Sequence, residues 1–433
     1  MSTFTLHNAR MTDNQIVDVN VTDGIISDIT PAQGRKSQGL DCDANKNLLI
    51  PGLVDLHTHL RQPGKEGAET VLSGSQAAIK GGYTAVSAMA NTSPVADTAG
   101  VVEQVARLGK DAGLCDVFPI GAVTQGIEGK ALAELSAMAQ SAAAVRIFSD
   151  DGNCVSDPLL MRRALEYVKT FGGVIAQHAQ EPRLTVGAQM NEGLVSSALG
   201  LTGWPAVAEE SIIARDILLA HHVGSRLHIC HLTTKGGVEL VRWAKSQGIS
   251  VTAEVTPHHL ILTDESAVGY DSVFKVNPPL RTAQDVQALR DGLADGTIDI
   301  VATDHAPHPT EAKECEWNAA AFGMLGLETS LSAVVESMIM TKKIDWAQLV
   351  ERMSTTPATI GGYSAHGRIE VGAPAHLVVV DTETTWTVDR ATTASKSSNT
   401  PFHGRTLPAR VMHTYFHGVH VLQDGQLTGK RYE

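Results

Sequence analysis

An alternation of short apolar runs with longer amphipathic stretches fills the middle of this chain of 433 residues, and it is the feature that most restricts the fold. The apolar runs have the length of strands and lie at 48–56, 84–90, 115–123, 144–149, 173–177, 226–230, 250–255 and 298–303. Stretches with helical periodicity lie between them, for example at 66–80, 101–112, 158–171, 206–221 and 282–293. Because parallel strands need crossover connections, eight β–α units in succession predict an α/β protein built as a (β/α)8 TIM barrel. A doubly wound open sheet is the alternative, but no Gly-x-Gly-x-x-Gly motif follows the first strand.

The two ends of the chain carry short strands of alternating character, separated by Gly, Asn and Asp. These strands lie at 15–19, 24–29, 376–381, 410–418 and 420–425. We therefore predict that residues 1–48 and 365–433 together form a small discontinuous β-sandwich module, and that residues 49–364 form the barrel. Residues 305–323 show no clear periodicity, and a long connection of this kind in a compact domain is typically an active-site lid.

Composition restricts the class of partner and the compartment. Lysine and arginine number 34 against 47 aspartates and glutamates, a net charge of −13, which argues against a nucleic-acid or anionic-membrane partner. A negatively charged small-molecule substrate must then be held by a local group of cations. The five cysteines are scattered without a Cys-x-x-Cys spacing, as in proteins with reduced thiols. The chain starts without the features of a signal peptide and has no apolar run of roughly 18 residues, so we expect a cytoplasmic protein.

The stretch Asp-Leu-His-Thr-His-Leu-Arg at 55–61 ends the first strand of the predicted barrel. Residues two apart in a strand point to the same side, so His57 and His59 form a pair aimed at one point, and Arg61 continues the same parity. Two converging imidazoles are suited to a divalent metal, and a nearby guanidinium is suited to an anion. A lone His-x-His is more often a pair of ordinary surface histidines, so the rest of the chain has to decide.

Further potential ligands follow other predicted strands, and a barrel collects its chemistry at the carboxyl ends of its strands. They are Asn91, Asp150, Asp151, His178, His231, Asp304 and His308. A single His or Asp in such a place is usually structural or a helix cap. Four histidines and two aspartates at the ends of several strands instead favour a metal centre. Their number suggests two ions, and nitrogen and oxygen ligands without thiolate suit zinc, with manganese or cobalt as alternatives.

The ligands divide naturally between the two predicted ions. His57, His59 and Asp304 can serve the first ion, and His178 and His231 the second, with an aspartate after the fourth strand as the bridge. Strand parity does not decide between Asp150 and Asp151, because the two face opposite sides. Paired ions lower the pKa of a shared water toward neutrality, and Asp304 is then well placed to carry a proton.

Several of these motifs resemble the amidohydrolase superfamily, and more narrowly the long, bacterial-type (class I) dihydroorotases. The motifs are the 55–61 run, His-Leu-Arg-Gln-Pro-Gly at 59–64, Ala-Asn-Thr at 90–92, Ser-Asp-Asp-Gly at 149–152, Asn-Pro-Pro-Leu-Arg at 277–281, Ala-Thr-Asp-His-Ala-Pro-His at 302–308 and Phe-Gly at 322–323. The resemblance covers nearly the whole chain. It implies reversible closure of N-carbamoyl-L-aspartate to dihydroorotate in pyrimidine synthesis, with two zinc ions and Asp151 as their bridge.

The same resemblance implies roles for residues around the metals. Arg61, Asn91 and His308 match the family positions that bind the substrate carboxylate. Asn277 and the backbone of Phe322 and Gly323 match those that bind the ring amide. A homodimer is a family expectation, and association with aspartate transcarbamoylase is left open.

Two alternatives remain at the level of sequence. The first is a related cyclic amidase, such as a hydantoinase, dihydropyrimidinase or allantoinase. Those relatives usually bridge their metals with a carboxylated lysine on the fourth strand, whereas residues 145–151 of this chain include no lysine. The second is a non-catalytic homologue that serves as a scaffold for a partner such as aspartate transcarbamoylase, and such a protein is expected to have lost metal ligands.

Overall fold

The computed structural model describes residues 3–33 and 41–433, and it combines parallel sheets with one largely antiparallel sheet. Its strands are β1 (Phe4–Arg10), β2 (Ile16–Thr22), β3 (Ile25–Pro31), β4 (Cys42–Asp43), β5 (Leu48–Pro51), β6 (Leu53–Thr58), β7 (Tyr83–Ala88), β8 (Asp116–Pro119), β9 (Ile147–Phe148), β10 (Val174–Gln177), β11 (Met190–Asn191), β12 (Gly203–Trp204), β13 (Arg226–Ile229), β14 (Val251–Val255), β15 (Ile300–Val301), β16 (Leu377–Thr387), β17 (Thr406–Phe416), β18 (Val419–Gln423) and β19 (Gln426–Leu427).

Helices connect the parallel strands. They are α1 (Val71–Lys80), α2 (Ala99–Ala112), α3 (Leu135–Gln140), α4 (Pro158–Lys169), α5 (Leu194–Leu199), α6 (Val207–Val223), α7 (Lys235–Ser246), α8 (Ala283–Asp295), α9 (Thr310–Lys313), α10 (Ser330–Val334), α11 (Trp346–Val350) and α12 (Thr356–Gly361). Single π-helical turns at Val335–Ile339 and Glu351–Thr355 continue α10 and α11. No helix in the described part of the chain combines the length and apolar character of a membrane span.

Two parallel sheets occupy the centre. One has the order β6–β7–β8 and the other has the order β15–β14–β13–β10–β9. All eight strands predicted from the apolar runs are present, so the predicted α/β class is confirmed. The hydrogen-bonded strands form two sheets rather than one continuous barrel, and single parallel bridges join Gly121 to Phe148 and Thr58 to His305.

The helices pack closely on these sheets and begin at polar caps. Thr70 accepts a hydrogen bond from the backbone N–H of Ser73 and starts α1, which explains why that helix begins later than the apolar periodicity predicts. In α2, a Cβ placed on Gly109 would lie 2.5 Å from the Cβ of Val117 on β8. Only glycine therefore permits this close approach of helix and sheet.

The two ends of the chain meet in a single nine-stranded sheet, which we call the terminal sheet. Its order is β19–β18–β17–β16–β5–β1–β2–β3, and β4 pairs with β1. Antiparallel pairing of β5 with β16 joins the amino-terminal half of this sheet to the carboxyl-terminal half. The discontinuous pairing agrees with the predicted module, but the pairing is that of one sheet, so the sandwich and the domain boundaries stay predictions. Residues 1–2 and 34–40 of that module lie outside the described residues.

The predicted lid carries the short helix α9 and is tied to neighbouring backbone by two buried lysines. The ammonium group of Lys313 donates to the carbonyls of Lys275 (3.0 Å), Ala321 (2.9 Å) and Gly323 (3.1 Å). The ammonium group of Lys275 donates to the carbonyl of Trp317 at 2.6 Å. Burial, and then the charge of Lys275, lower the pKa of Lys313 to about 7. The segment is thus folded against the residues that follow β14.

Candidate metal centre

The potential ligands converge at the carboxyl ends of the parallel strands. His57 lies within β6 and His59 follows it, while Asp151, His178 and His231 follow β9, β10 and β13. Asp304, which follows β15, completes the set, and all six side chains are buried. Short loops after different strands therefore bring them to one focus, as the parity and strand-end arguments predict.

Asp151 lies between two pairs of histidines. Its Oδ1 is 3.2 Å from Nδ1 of His178 and 3.0 Å from Nε2 of His231. Its Oδ2 is 3.4 Å from Nε2 of His57 and 3.3 Å from Nε2 of His59. Each carboxylate oxygen thus faces one imidazole pair. Two groups, His57 with His59 and Asp151, and Asp151 with His178 and His231, have ligand atoms close enough to hold an ion each.

Asp304 lies on the side of His57 and His59. Its Oδ1 is 3.1 Å from Nε2 of His59 and 3.5 Å from Nε2 of His57. Asp304 and His231 both have positive φ values, 46° and 30°, in a region that non-glycine residues rarely adopt. Strained backbone of this kind is held in place by its surroundings and is common at functional sites.

Asp150 has a different environment. Its Oδ1 accepts hydrogen bonds from the backbone N–H groups of Val123 (2.8 Å) and Thr124 (2.9 Å), and its Oδ2 accepts one from the Thr124 hydroxyl. Asp150 therefore ties the loop after β9 to the loop after β8. The geometry favours Asp151 over Asp150 as the group between the histidine pairs, a choice that strand parity had left open.

Polar residues behind three histidines set which ring nitrogen faces Asp151. Nδ1 of His57 donates to Glu254 at 2.6 Å, Nδ1 of His59 lies 3.0 Å from Oδ1 of Asn91, and Nε2 of His178 lies 2.7 Å from Oε1 of Gln180. In each case the outer partner can accept a hydrogen bond from one ring nitrogen, which would leave the other nitrogen to bind an ion at the centre. Glu254 and Gln180 were not predicted as site residues. A glutamate within the apolar run 250–255 was a signal that could have identified the first of them.

The charges of the centre depend on one another. Burial raises the pKa of Asp151, but the positive charge of His57 and hydrogen bonds from His178 and His231 outweigh it and hold that pKa well below the usual range. Burial lowers the pKa of His57, but Asp151 and Glu254 outweigh it and raise that pKa. Burial likewise raises the pKa of Asp304, yet the hydrogen bond from His59 and nearby imidazole charges bring it to about 2. Both aspartates are therefore ionised at neutral pH, as metal ligands must be.

Asp55, the first residue of the 55–61 motif, positions His57 directly and Asp304 through the neighbouring Thr303. Its Oδ1 accepts from the backbone N–H of His57 at 3.0 Å and from that of Thr303 at 3.1 Å. The carboxylate thereby links β6 to the loop that carries Asp304. Burial raises the pKa of Asp55 to about 7.

Arg61 and His308 lie together beside the centre. Nε of Arg61 donates to the carbonyl of Pro307 at 3.1 Å, and its Nη2 is 3.4 Å from Nε2 of His308. Burial lowers the pKa of Arg61 to about 10, which leaves the guanidinium charged at neutral pH. Burial and then that charge lower the pKa of His308 to about 3, so His308 offers a hydrogen bond rather than a charge.

The remaining predicted substrate-binding residues differ in whether their polar groups already have hydrogen-bond partners. Asn91 is engaged by His59, whereas Oδ1 of Asn277 is buried without a hydrogen-bond partner. The carbonyl of Phe322 accepts from His308 at 2.7 Å, and the N–H of Gly323 donates to the carbonyl of Lys275 at 3.0 Å. The carbonyl of Gly323 accepts from Lys313. Asn277 therefore has an open acceptor, whereas these three backbone groups are already paired within the protein.

Comparison with known proteins supplies relatives along nearly the whole chain. The family model described as dihydro-orotase-like matches residues 46–237. A dihydroorotase of Streptomyces coelicolor is 67% identical over 387 residues, 89% of this chain and 90% of the relative. Dihydroorotases of Leifsonia xyli and Mycobacterium tuberculosis are 60% and 54% identical over 98% and 96% of this chain, and over 97% of each relative.

Solved structures with the same fold include a hydantoinase and a dihydropyrimidinase. The L-hydantoinase of Arthrobacter aurescens has a TM-score of 0.87 at 26% identity, and the match covers 100% of this chain and 98% of that one. The dihydropyrimidinase of Brevibacillus agri has a TM-score of 0.84 at 20% identity, with coverage of 99% and 97%. The fold is therefore shared with this hydantoinase and this dihydropyrimidinase, while the sequence is much more similar to the three dihydroorotases.

Proposed function

The chain belongs to the dihydroorotase family, and on that premise we propose that its buried histidines and aspartates hold two zinc ions that serve reversible closure of N-carbamoyl-L-aspartate to dihydroorotate. The observation that carries this proposal is the position of Asp151, with one carboxylate oxygen toward each histidine pair. His57, His59 and Asp304 would hold the first ion and His178 and His231 the second, with Asp151 as the bridge.

The donor set fits such ions. Nε2 of His57 is buried without a hydrogen-bond partner, 3.4 Å from Oδ2 of Asp151, and an ion held between these two groups would satisfy that nitrogen. Nitrogen and carboxylate donors suit zinc, and the acceptors Glu254 and Gln180 already fix the required tautomers. When bound, the two ions would lower the pKa of a water toward neutrality and polarise the carbonyl under attack.

Asp304 is the proposed proton carrier. During ring closure its carboxylate accepts the proton of the reacting amide nitrogen, and during hydrolysis it returns that proton to the departing nitrogen. The low pKa of Asp304 keeps this group ionised at neutral pH, which is the form that can accept a proton. A position at the edge of the histidine cluster, against His59, is consistent with contact to both the centre and the substrate.

Positive charge and open hydrogen-bonding groups are proposed to orient the substrate. The guanidinium of Arg61, fixed by Pro307, would bind the carboxylate that remains after ring closure, with His308 and Asn91 as hydrogen-bonding neighbours. The unpaired Oδ1 of Asn277 would accept from the ring amide. The backbone of Phe322 and Gly323 is proposed to contribute on closure of the 305–323 segment, which requires an exchange of its present partners.

We further propose that the two parallel sheets are parts of one (β/α)8 barrel. The bridges Gly121–Phe148 and Thr58–His305 connect the free edges of the sheets in the order that a closed barrel requires, which supports this proposal. The predicted homodimer and the association with aspartate transcarbamoylase remain expectations of the family resemblance, and the cytoplasmic location remains an expectation from the sequence features.

The two alternative functions have less support. A hydantoinase-like, dihydropyrimidinase-like or allantoinase-like activity shares the fold, but the group between the histidine pairs is an aspartate and the sequence relatives at 54–67% identity are dihydroorotases. A non-catalytic homologue is expected to lose ligands, whereas all six lie together here.

The direct experiment is turnover by the purified protein with measured metal content. We expect hydrolysis of dihydroorotate, followed as loss of ultraviolet absorbance, and the reverse reaction with N-carbamoyl-L-aspartate. Hydantoin and allantoin serve as comparison substrates. Activity on either of these with none on dihydroorotate would overturn the substrate assignment.

A further inference from the structure

Lys313 is a buried lysine beside the predicted substrate-binding backbone, and the proposed reaction gives it no role. Only 4% of its surface is exposed. Its ammonium group donates to the carbonyls of Lys275, Ala321 and Gly323, which uses all three of its N–H groups. The first of these carbonyls also accepts from the N–H of Gly323. Since a buried charge is costly unless it is paired or hydrogen-bonded, the ammonium and the three carbonyls hold one another in place.

Two of these carbonyls lie on either side of the carbonyl of Phe322. Those of Ala321 and Gly323 both accept from Lys313. The carbonyl of Phe322 has a different partner and accepts from Nε2 of His308 at 2.7 Å. Because peptide units are planar, the backbone between two fixed carbonyls has few ways to rotate. Lys313 therefore restricts where the carbonyl of Phe322 lies.

The carbonyl of Phe322 in turn orients the ring of His308. The backbone N–H of His308 is fixed separately, by donation to Oδ1 of Asn399 at 3.1 Å, so the Phe322 carbonyl acts on the side chain. Nη2 of Arg61 lies 3.4 Å from the same ring nitrogen that donates to Phe322. A shift of that carbonyl would therefore move the imidazole relative to the guanidinium.

We propose that Lys313 is a positioning residue for the substrate carboxylate, because it fixes the backbone around Phe322 and thereby places His308 beside Arg61. The inference rests on the proposed function, in which Arg61 and His308 bind that carboxylate. The carboxylate does not react, so its contacts stabilise the bound substrate and the transition state alike. Loss of Lys313 should therefore weaken substrate binding and raise KM, with little change in kcat.

Lys275 offers a matched comparison within the same part of the structure. Its side chain is also buried, and its ammonium donates to the carbonyls of Trp317 (2.6 Å) and Asn318 (3.3 Å), neither of which adjoins Phe322. Its Nζ also lies 4.4 Å from the centroid of the Phe322 ring, a contact that a methionine side chain can replace. Lys275→Met therefore removes a buried ammonium but leaves the acceptors of Lys313 in place.

The test compares the metal-loaded wild type with Lys313→Met and Lys275→Met. Affinity is measured by equilibrium dialysis against radiolabelled dihydroorotate and N-carbamoyl-L-aspartate at chemical equilibrium, so that turnover does not disturb the measurement. KM and kcat are measured by hydrolysis of dihydroorotate. All assays are run at pH 6, below the pKa of about 7 of Lys313, so that its ammonium is charged.

We expect Lys313→Met to weaken binding and raise KM by about tenfold, the effect of misplacing one charge-assisted hydrogen bond to the substrate. Its kcat should stay within about threefold of the wild type, and its metal content should be unchanged. Lys275→Met should change KM by less than about threefold. Lys313→Gln keeps two N–H donors on a shorter side chain and should show an intermediate loss, which provides a second variant if Lys313→Met does not fold.

A double-variant cycle tests the route through His308. If Lys313 acts through this ring, adding Lys313→Met to His308→Ala should raise KM by less than about threefold, although the same change in the wild type raises it by about tenfold. A general loss of stability would instead produce the same factor in both backgrounds. An equal factor would therefore overturn the proposed role.

The outcomes separate this inference from the function on which it rests. Equal affinity in the wild type and in both Lys313 variants, or an equal loss in Lys275→Met, would overturn the role of Lys313. A wild type that binds the labelled compounds without hydrolysing dihydroorotate would overturn the proposed function, and the affinities would still decide the role of Lys313. A wild type that binds neither compound would overturn both.

Discussion

Replacement of Glu254 by glutamine tests how the centre fixes His57. The Glu254 carboxylate accepts from Nδ1 of His57 at 2.6 Å, from Nε2 of His228 at 3.0 Å and from the backbone N–H of His231 at 3.2 Å. Glutamine has nearly the same shape, and its carbonyl oxygen can keep the bonds to His57 and His231. His228 can accept from the new amide, because its Nδ1 lies 2.8 Å from the hydroxyl of Thr252, which can serve as acceptor. The Glu254→Gln change therefore removes a charge rather than a contact.

The size of the effect follows from that single change. A hydrogen bond to a charged group contributes about 1.5–3 kcal/mol and a neutral one about 0.5–1.5 kcal/mol, so the bond to His57 weakens by about 1–2 kcal/mol. At about 1.4 kcal/mol per factor of ten, this corresponds to roughly 5- to 30-fold. Mutation of the hydrogen-bond partners of metal-binding histidines typically lowers metal affinity or activity by about 10- to 100-fold, a range that overlaps with this value. We expect metal affinity and kcat to fall together by this factor.

The assay measures metal affinity by competition with a chelator, and kcat at saturating metal. Glu209→Gln is the matched control, because Glu209 is also buried and accepts from the backbone N–H groups of Thr233 and Thr234 without contacting a histidine of the centre. Unchanged metal affinity in Glu254→Gln, or an equal loss in both variants, would refute the assignment of Glu254 as the residue that positions His57.

Three further changes test the catalytic group, the charges of the centre and the 305–323 segment. Asp304→Asn should retain part of the bound metal but lower kcat by at least about 100-fold, within the contribution of a general acid–base group, and full turnover would remove Asp304 from proton transfer. In chelator-treated protein, the depressed pKa of Asp304 stabilises the fold above pH 4 or so, and this contribution should be lost as the pH falls toward about 2. The free energy of unfolding in urea should therefore depend less steeply on acid pH in Asp304→Asn than in the wild type. Identical pH dependences would contradict the pKa shift. A Cβ on Gly323, where φ is 142°, would lie 2.8 Å from Nε2 of His308, so Gly323→Ala should raise KM for dihydroorotate severalfold, whereas Gly100→Ala, in open space, should leave KM unchanged.

Much of the fold could be predicted from the sequence, because strands and helix starts depend on patterns within a few neighbouring residues. The eight apolar runs all became strands, because a strand buried on both faces reads as a continuous apolar segment. The start of α1 was predicted too early, since the cap at Thr70 is a stronger signal than the apolar periodicity upstream. The pairing of β5 with β16 joins segments more than three hundred residues apart, and no local pattern specifies such pairing.

The site was predictable where strand ends converge and unpredictable where partners come from elsewhere in the chain. His57 and His59 are set by strand parity, and Asp304 by its place after a strand. The distinction between Asp150 and Asp151 depends on the loop after β8, which supplies donors to Asp150. Gln180 could not be identified in advance, because a glutamine two residues after a histidine has many possible partners until the loop conformation is known.

Anomalous diffraction from crystals of the holoenzyme, measured on both sides of the zinc absorption edge, tests the central claim most directly. Two peaks should appear at the carboxyl ends of the parallel strands, one beside His57 and His59 and the other beside His178 and His231, with the Asp151 carboxylate between them. A single peak, or two peaks with Asp151 bound to neither or only one, would contradict the account.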